Sequence, residues 1–213
     1  MKGEIVMSKH RKESIVCPGC GKKQDIIIWE SLNAELSPEA KQKLLDGDFF
    51  VFNCECGYSA GIDTALLYHD MTHQVMVYYV NEDSKNHAKE TFEETKKFGM
   101  LDYRYRIVTS KDELREKALI FDKGLDDRII ELIKVFYFLQ IEENNPDIDI
   151  EGLLFYTSGE ELRLYIMGTK NMSAVINMEL YKKIEENYSE ELTEDADYFI
   201  NAAWAMNFFQ QGY

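Results

Sequence analysis

The chain has 213 residues, of which 45% are hydrophobic and 13% aromatic, enough to fill one large core or two small ones and too apolar for a disordered chain. Its net charge of −15 is unevenly spread: residues 1–60 carry 8 basic and 9 acidic side chains, residues 61–137 carry 12 and 15, and residues 138–213 carry 4 and 15. A field of that sign opposes the phosphate neutralisation on which nucleic-acid binders depend, so such a role requires a local basic patch.

Residues 1–13 read as a polar N-terminal segment without an apolar leader core. The longest largely apolar stretch, Ile129 to Ile141, is broken by Glu131, Lys134 and Gln140 and is too short to span a bilayer. A soluble, cytoplasmic protein is the expectation. Lys9, Arg11, Lys12, Lys22 and Lys23 are the one candidate basic patch, set against the plainer reading of a solvated terminus and turn.

All four cysteines fall between Cys17 and Gly57, as Cys17-Pro18-Gly19-Cys20-Gly21 and Cys54-Glu55-Cys56-Gly57. A C-x-x-C and a C-x-C, each followed by glycine, have the form of two metal knuckles that share one tetrahedral ion. Each knuckle needs a tight turn, and Gly19, Gly21 and Gly57 stand where positive φ is expected; Pro18 fixes φ just after the first ligand. Cys17, Cys20, Cys54 and Cys56 are therefore the candidate metal ligands, with one structural Zn2+ per chain as the expected ion. The rival is a redox dithiol at Cys17 and Cys20. It calls for a helix N-terminus behind the cysteines, whereas Lys23 to Glu30 reads as a strand.

That strand has a continuous centre, Ile26-Ile27-Ile28-Trp29, which predicts burial on both faces. Short β structure from Ser14 precedes the first knuckle. Ser37-Pro38-Glu39 starts a helix, with serine as cap and proline in first position, that Gly47 ends. Phe49 to Asn53 reads as an aromatic strand into Cys54, so that the ion ties two strand ends at one sheet edge. Tyr58 to Tyr68 is extended and Gln74 to Val80 is the clearest strand, with a hairpin turn at Asp70 to Thr72. The turn is flanked by His69 and His73, whose imidazoles are candidates for a second metal or acid/base site against the plainer polar hairpin end.

Ser84 to Phe98 reads as a surface helix anchored by Phe92 and Phe98. Tyr103-Arg104-Tyr105-Arg106-Ile107-Val108 alternates as a half-buried strand, a pattern that serves single-stranded nucleic acid or, more simply, a solvated sheet face. Ser110-Lys111-Asp112-Glu113 is a capping box opening a helix that stops at Gly124, and Asp126-Asp127 opens another whose body is apolar almost all round, as in a buried or interface helix. Asn144 to Asp147 breaks the pattern. Beyond it, a hairpin turns at Ser158-Gly159, a short strand follows at Val175 to Asn177, and helices are expected at Glu179–Tyr188 and Glu194–Phe209, the last with Phe199, Ala202, Ala203, Met206 and Phe209 on its apolar side.

With Cys17-Pro18-Gly19-Cys20, the run Phe50 to Gly57, and Arg106-Ile107-Val108 leading through Leu114 to Gly124-Leu125-Asp126-Asp127-Arg128, the chain resembles the CpXC domain family of bacteria and archaea over roughly residues 14 to 135. The resemblance implies a four-cysteine zinc-type site and no established activity; Glu55 stands where the family theme is a proline-containing motif. The expected organisation is α+β: a CpXC-like domain at 14–143, with zinc-ribbon-like knuckles on a small, mainly antiparallel sheet with helices, then an acidic α+β domain at 147–213. No Ser/His/Asp order, phosphate loop or dinucleotide fingerprint is present to assign an enzyme. Three roles stay open: a non-enzymatic module binding another protein or a second copy, a nucleic-acid-binding regulator using the knuckle half, and a thiol redox protein.

Overall fold

The computed structural model describes residues 7–193 and 197–210. Among these the chain forms ten strands and six α-helices, an α+β protein with mixed sheets. It divides into two compact units, one reaching Ala118 and one beginning at Leu119.

The first unit contains β1 (Lys9–Val16), β2 (Lys23–Asn33), α1 (Pro38–Asp46), β3 (Val51–Asn53), β4 (Ser59–Gly61), β5 (Leu66–Asp70), β6 (Val75–Tyr79), a 3-10 turn at Glu82–Ser84, α2 (Lys85–Lys97), β7 (Arg104–Val108) and the start of α3 (Lys111–Asp122). Five strands make one sheet in the order β1-β2-β5-β6-β7. Two of its pairings, β1 with β2 and β5 with β6, are antiparallel hairpins, and two, β2 with β5 and β6 with β7, are parallel. Parallel neighbours need a long crossover. α1 and the separate β3–β4 hairpin supply the first, and the 3-10 turn with α2 supplies the second.

β2 is longer than its sequence pattern suggests, because it serves two neighbours. Its first part pairs with β1, and only Ser31 to Asn33 pairs with β5, opposite Leu67 to His69. β1 is likewise longer than the expected Ser14–Cys17 and takes in Lys9 to Glu13 of the polar N-terminal segment. Burial on both faces of the isoleucine run is corrected: Ile28 is buried, whereas Ile27 is 46% exposed, because the arm that β1 and β2 form projects past the central strands. β5 and β6 carry the centre of the sheet, with Leu66, Tyr68, Val75, Met76 and Val77 fully buried.

Helix starts follow the sequence closely. α1 has Pro38 at its first position and ends on Gly47 at φ 91°, but Ser37 does not cap it with its side chain; the Ser37 hydroxyl pairs with that of Ser8 at 2.8 Å. At α3 the capping box forms, with the Glu113 N–H donating to Ser110 Oγ at 3.1 Å and the Glu113 carboxylate accepting from the N–H groups of Thr109 and Ser110. Two expectations fail in this unit. Phe98 is 49% exposed and anchors nothing, leaving Phe92 as the buried anchor of α2. Nor is β7 a solvated face: Tyr105 packs its ring 4.8 Å from that of Phe92, and Arg106 is buried, donating to the Tyr105 carbonyl at 3.0 Å.

The second unit holds α4 (Asp127–Asn144), β8 (Ile150–Ser158), β9 (Glu161–Gly168), β10 (Met172–Val175), α5 (Met178–Asn187) and α6 (Ala202–Gln210). Asp126 caps α4 by accepting from the Arg128 N–H at 2.9 Å, and the helix is buried from Asp127 to Val135. Its apolar character beyond that point is met by solvent, with Phe136 and Leu139 at 40% and 50% exposure. The hairpin turns at Ser158-Gly159 as expected and β10 completes a three-stranded antiparallel sheet, Phe155, Leu164 and Ile166 forming its inner face. The last helix is shorter than expected. Residues 194–196 lie outside the described residues, α6 begins at Ala202, and its buried positions are Ala205 and Phe208 rather than Ala202, Ala203 and Met206. No helix among the described residues is long and apolar enough to cross a membrane.

Candidate metal centre

Both cysteine motifs are the tips of β-hairpins. β1 and β2 close around the first, with Val16 opposite Lys23, and β3 and β4 close around the second, with Asn53 opposite Ser59. Within the first tip the Cys17 N–H donates to the Lys22 carbonyl at 2.9 Å and the Gly21 N–H to the Cys17 carbonyl at 2.8 Å. The second tip repeats this pattern one residue shorter, with the Cys54 N–H donating to the Tyr58 carbonyl at 2.8 Å and the Gly57 N–H to the Cys54 carbonyl at 2.9 Å. A C-x-C therefore closes as a C-x-x-C does, in a smaller loop. Gly21 and Gly57 take φ of 72° and 89°, where a side chain is strained.

Gly19 has a different reason to be glycine. Its φ is not positive, but a Cβ there would stand 3.0 Å from Tyr58 Cβ and 3.4 Å from Cys56 Sγ. The first knuckle lies directly against the second. Below both tips, Cys17, Phe52 and Cys54 are buried together, with Ile15, Ile26, Tyr58, Ala60 and Ile62 around them.

The four sulfurs lie within 4.8 Å of one another, and two pairs that cross between the tips, Cys17 Sγ to Cys56 Sγ and Cys20 Sγ to Cys54 Sγ, are each 3.7 Å apart. Four sulfurs at about 2.3 Å from a central tetrahedral ion would be separated by about 3.8 Å, so the donor set fits a four-thiolate metal site. All four cysteines are free, with Cys17 and Cys54 buried and Cys20 and Cys56 exposed. The four sulfurs join the tips of hairpins in two different sheets rather than two strand ends at one sheet edge, because β3 pairs with β4 and not with the large sheet.

Electrostatics of the bare cluster point the same way. Burial raises the Cys17 pKa, but hydrogen bonds from Cys54, from the N–H groups of Gly19 and Cys20, and from Cys56 outweigh it and hold the thiol at about 7. Cys54 goes the other way: the Cys56 N–H favours its thiolate, yet burial and the three neighbouring sulfurs push it up to about 12. Cys20 is also raised, the Lys22 N–H being outweighed by burial and by Cys56 and Cys17. One thiolate is accommodated without a cation. Four are not, unless a cation compensates them.

Among the described residues, His69 and His73 belong to no cluster of three or more potential metal ligands. Among the described residues the four cysteines are the cluster of His, Cys, Asp and Glu close enough to hold an ion. His69 is buried on β5 with Nε2 3.2 Å from the Tyr103 hydroxyl, while His73 lies in the turn with Nδ1 3.0 Å from Asp70 Oδ1. Asp70, which sequence reasoning passed over, organises this end: its buried carboxylate accepts from the Tyr68 hydroxyl at 3.2 Å and the His73 N–H at 2.9 Å, with Lys41 Nζ at 3.7 Å. Burial alone would raise its pKa, but His73 and Lys41 hold it below the usual carboxylate range. A carboxylate one residue before a turn was the available signal. The basic patch is largely paired: Lys9 meets Glu30 at 2.8 Å, Arg11 meets Glu13 at 2.7 Å and Glu30 at 3.0 Å, and Lys22 meets Glu55 at 3.4 Å.

Two hairpin tips presenting four converging sulfurs on a mixed α+β body define a protein with a ribbon-like cysteine cluster. The CpXC protein family model matches residues 15–134, more than half the chain and spanning all four cysteines, and the chain belongs to that family. No curated protein and no solved structure matches it.

Proposed function

We propose that Cys17, Cys20, Cys54 and Cys56 hold one structural zinc ion and that the chain is a non-catalytic module for binding another protein or a second copy. The observation that carries this is the crossed pairing of sulfurs at 3.7 Å between two hairpin tips. Zinc suits it because the ion has no redox chemistry and accepts four thiolates tetrahedrally, and a closed set of four leaves no position for a substrate water. Four free thiols also fit a reducing compartment such as the cytoplasm.

The alternatives draw less support. A redox dithiol at Cys17 and Cys20 is served by a helix N-terminus, and here the loop runs from strand to strand. A nucleic-acid role needs free cations, and Lys9, Arg11 and Lys22 face carboxylates.

The test is metal content of protein purified without added zinc, followed by circular dichroism on chelation. One zinc per chain and partial loss of structure with the chelator are expected. Absence of metal, with Cys17 and Cys20 cycling reversibly to a disulfide, would overturn the reading.

A further inference from the structure

Beside the metal centre, an open groove of about 960 Å³ runs along the exposed face of β2, the N-terminal end of α1 and the β3 strand. Its apolar lining includes Ile27, Trp29, Leu36, Phe49, Val51 and Ile62. Two of these are uncommonly exposed for their type, Ile27 at 46% and Leu36 at 58%. Trp29 and Phe49 keep their rings 6.0 Å apart in a tilted pair, a broad aromatic surface within that lining. The groove is open, and polar and apolar side chains share its lining, so an occupant would need both an apolar and a charged side.

The rim decides what fits. Asp25, Glu39, Asp48 and Glu55 line the groove, and Lys43 is the one cation among its lining residues. These carboxylates come from four different segments, namely β2, the first turn of α1, the loop after Gly47 and the second knuckle. Glu55 already meets Lys22 and Asp25 accepts from the Ser14 hydroxyl, so Glu39 and Asp48 are the carboxylates that an occupant would have to satisfy, with positive charges on one side and an apolar side for Trp29 and Leu36. Zinc held by four thiolates adds net negative charge at the Glu55 end. A nucleic-acid strand meets repulsion there, and a second copy of a chain carrying −15 is disfavoured for the same reason.

We infer that this groove is the docking site for a cationic amphipathic segment of another protein, its aliphatic side chains on Ile27, Trp29, Leu36 and Phe49 and its Lys or Arg residues on Glu39 and Asp48. It rests on the interaction-module reading and names the partner's chemistry.

The experiment uses the full zinc-loaded chain and a fluorescein-labelled amphipathic Leu/Lys peptide of about four helical turns, with a counterpart carrying Glu at every Lys. Anisotropy should report a Kd of about 10 µM for the cationic peptide, weakening at least tenfold in Glu39→Lys/Asp48→Lys and in Leu36→Asp, whose sites are exposed. Glu185→Lys/Glu186→Lys, an equal charge change on exposed positions of α5, should leave it within about twofold. Equal binding of the Glu peptide, or equal weakening by the α5 pair, overturns the proposal. So does a dimer by light scattering that Leu36→Asp dissolves, because a second copy would then be the occupant. A zinc-loaded chain that fails these tests rejects the groove alone, whereas a metal-free, disulfide-cycling chain rejects the module reading beneath it.

Discussion

Cys17 and Cys56 are 39 positions apart, and their sulfurs lie 3.7 Å from one another. Cys17, at the β1–β2 tip, is buried, and Cys56, at the β3–β4 tip, is exposed. The β3–β4 hairpin is attached to the large sheet by no strand pairing. The cysteine cluster and the small core of Cys17, Phe52 and Cys54 hold it against the β1–β2 tip, while the flanking Phe49, Phe50 and Asp63 meet Trp29 and Tyr79 of the large sheet.

Removing either member of that pair should therefore loosen the two tips from one another. Cys17→Ser and Cys56→Ser are each expected to lose zinc; with the ion a thousandfold above its Kd, about 4 kcal/mol of stability goes with it. In a chain of this size that is about 10 °C in Tm, read by calorimetry with and without chelator. If Cys56→Ser keeps both its metal and its Tm, the four-sulfur site is wrong.

Affinity for the ion should climb steeply with pH. In the bare cluster the Cys17 thiol sits at about 7 and the Cys54 thiol at about 12, with Cys20 also raised. Near neutrality at least Cys20 and Cys54 hold protons that the metal must displace, so protonation competes with binding as pH falls. From pH 8 to pH 6 the apparent Kd should rise by a factor of about 100 or more, measured by competition with a chromophoric chelator, and calorimetry in two buffers should report proton release. A pH-independent Kd would mean that the thiols are not the ligands.

Two glycines of the knuckles should fail for different reasons. Gly57→Ala places a side chain at φ 89° with nothing within 4 Å of its Cβ, so the expected effect is a backbone penalty of about 1–2 kcal/mol with zinc still bound. Gly19→Ala has an ordinary φ but meets Tyr58 Cβ at 3.0 Å and Cys56 Sγ at 3.4 Å, which separates the tips. It should weaken zinc binding more than Gly57→Ala does, even where the two lose similar Tm.

Asp70→Asn tests the other end of the sheet. The carboxylate is held below its usual pKa by His73 and Lys41 against the effect of burial, so the folded state binds its proton less tightly than the unfolded chain. Its stabilisation is present above the unfolded carboxylate value of about 3.9 and is lost as pH falls through the lower folded value. Asp70→Asn should cost about 2 kcal/mol at pH 7, and the difference from the parent should shrink in acid. Denaturant melts at pH 7 and pH 3 check both statements, and a difference that is the same at both pH values would remove Asp70 from the pH dependence.

Much of this protein is legible in its sequence because it depends on neighbours along the chain. The two knuckles follow from cysteine spacing and the glycines after them, and the α3 capping box from Ser110 and Glu113 three residues apart. The hairpin after Asp70 and the start of α4 at Asp126 are local in the same sense. Errors fall where burial depends on what lies across the sheet. Ile27 and Ile28 are adjacent members of one apolar run, yet only Ile28 is covered. Arg106 reads as a solvated side chain and is buried in β7, while Phe98 reads as an anchor and is exposed.

By itself the sequence determined which residues are cysteine ligand candidates, the turns that hold them and the α+β class, since each is set by spacing and backbone preference within a few residues. Tertiary structure alone decided that Cys17 faces Cys56 and Cys20 faces Cys54, that β2 leaves β1 to pair in parallel with β5, and that Trp29, Phe49 and Asp48 share one groove. Those relationships join segments tens of residues apart, and they are selected by the burial of side chains on the assembled sheet, which no local pattern records.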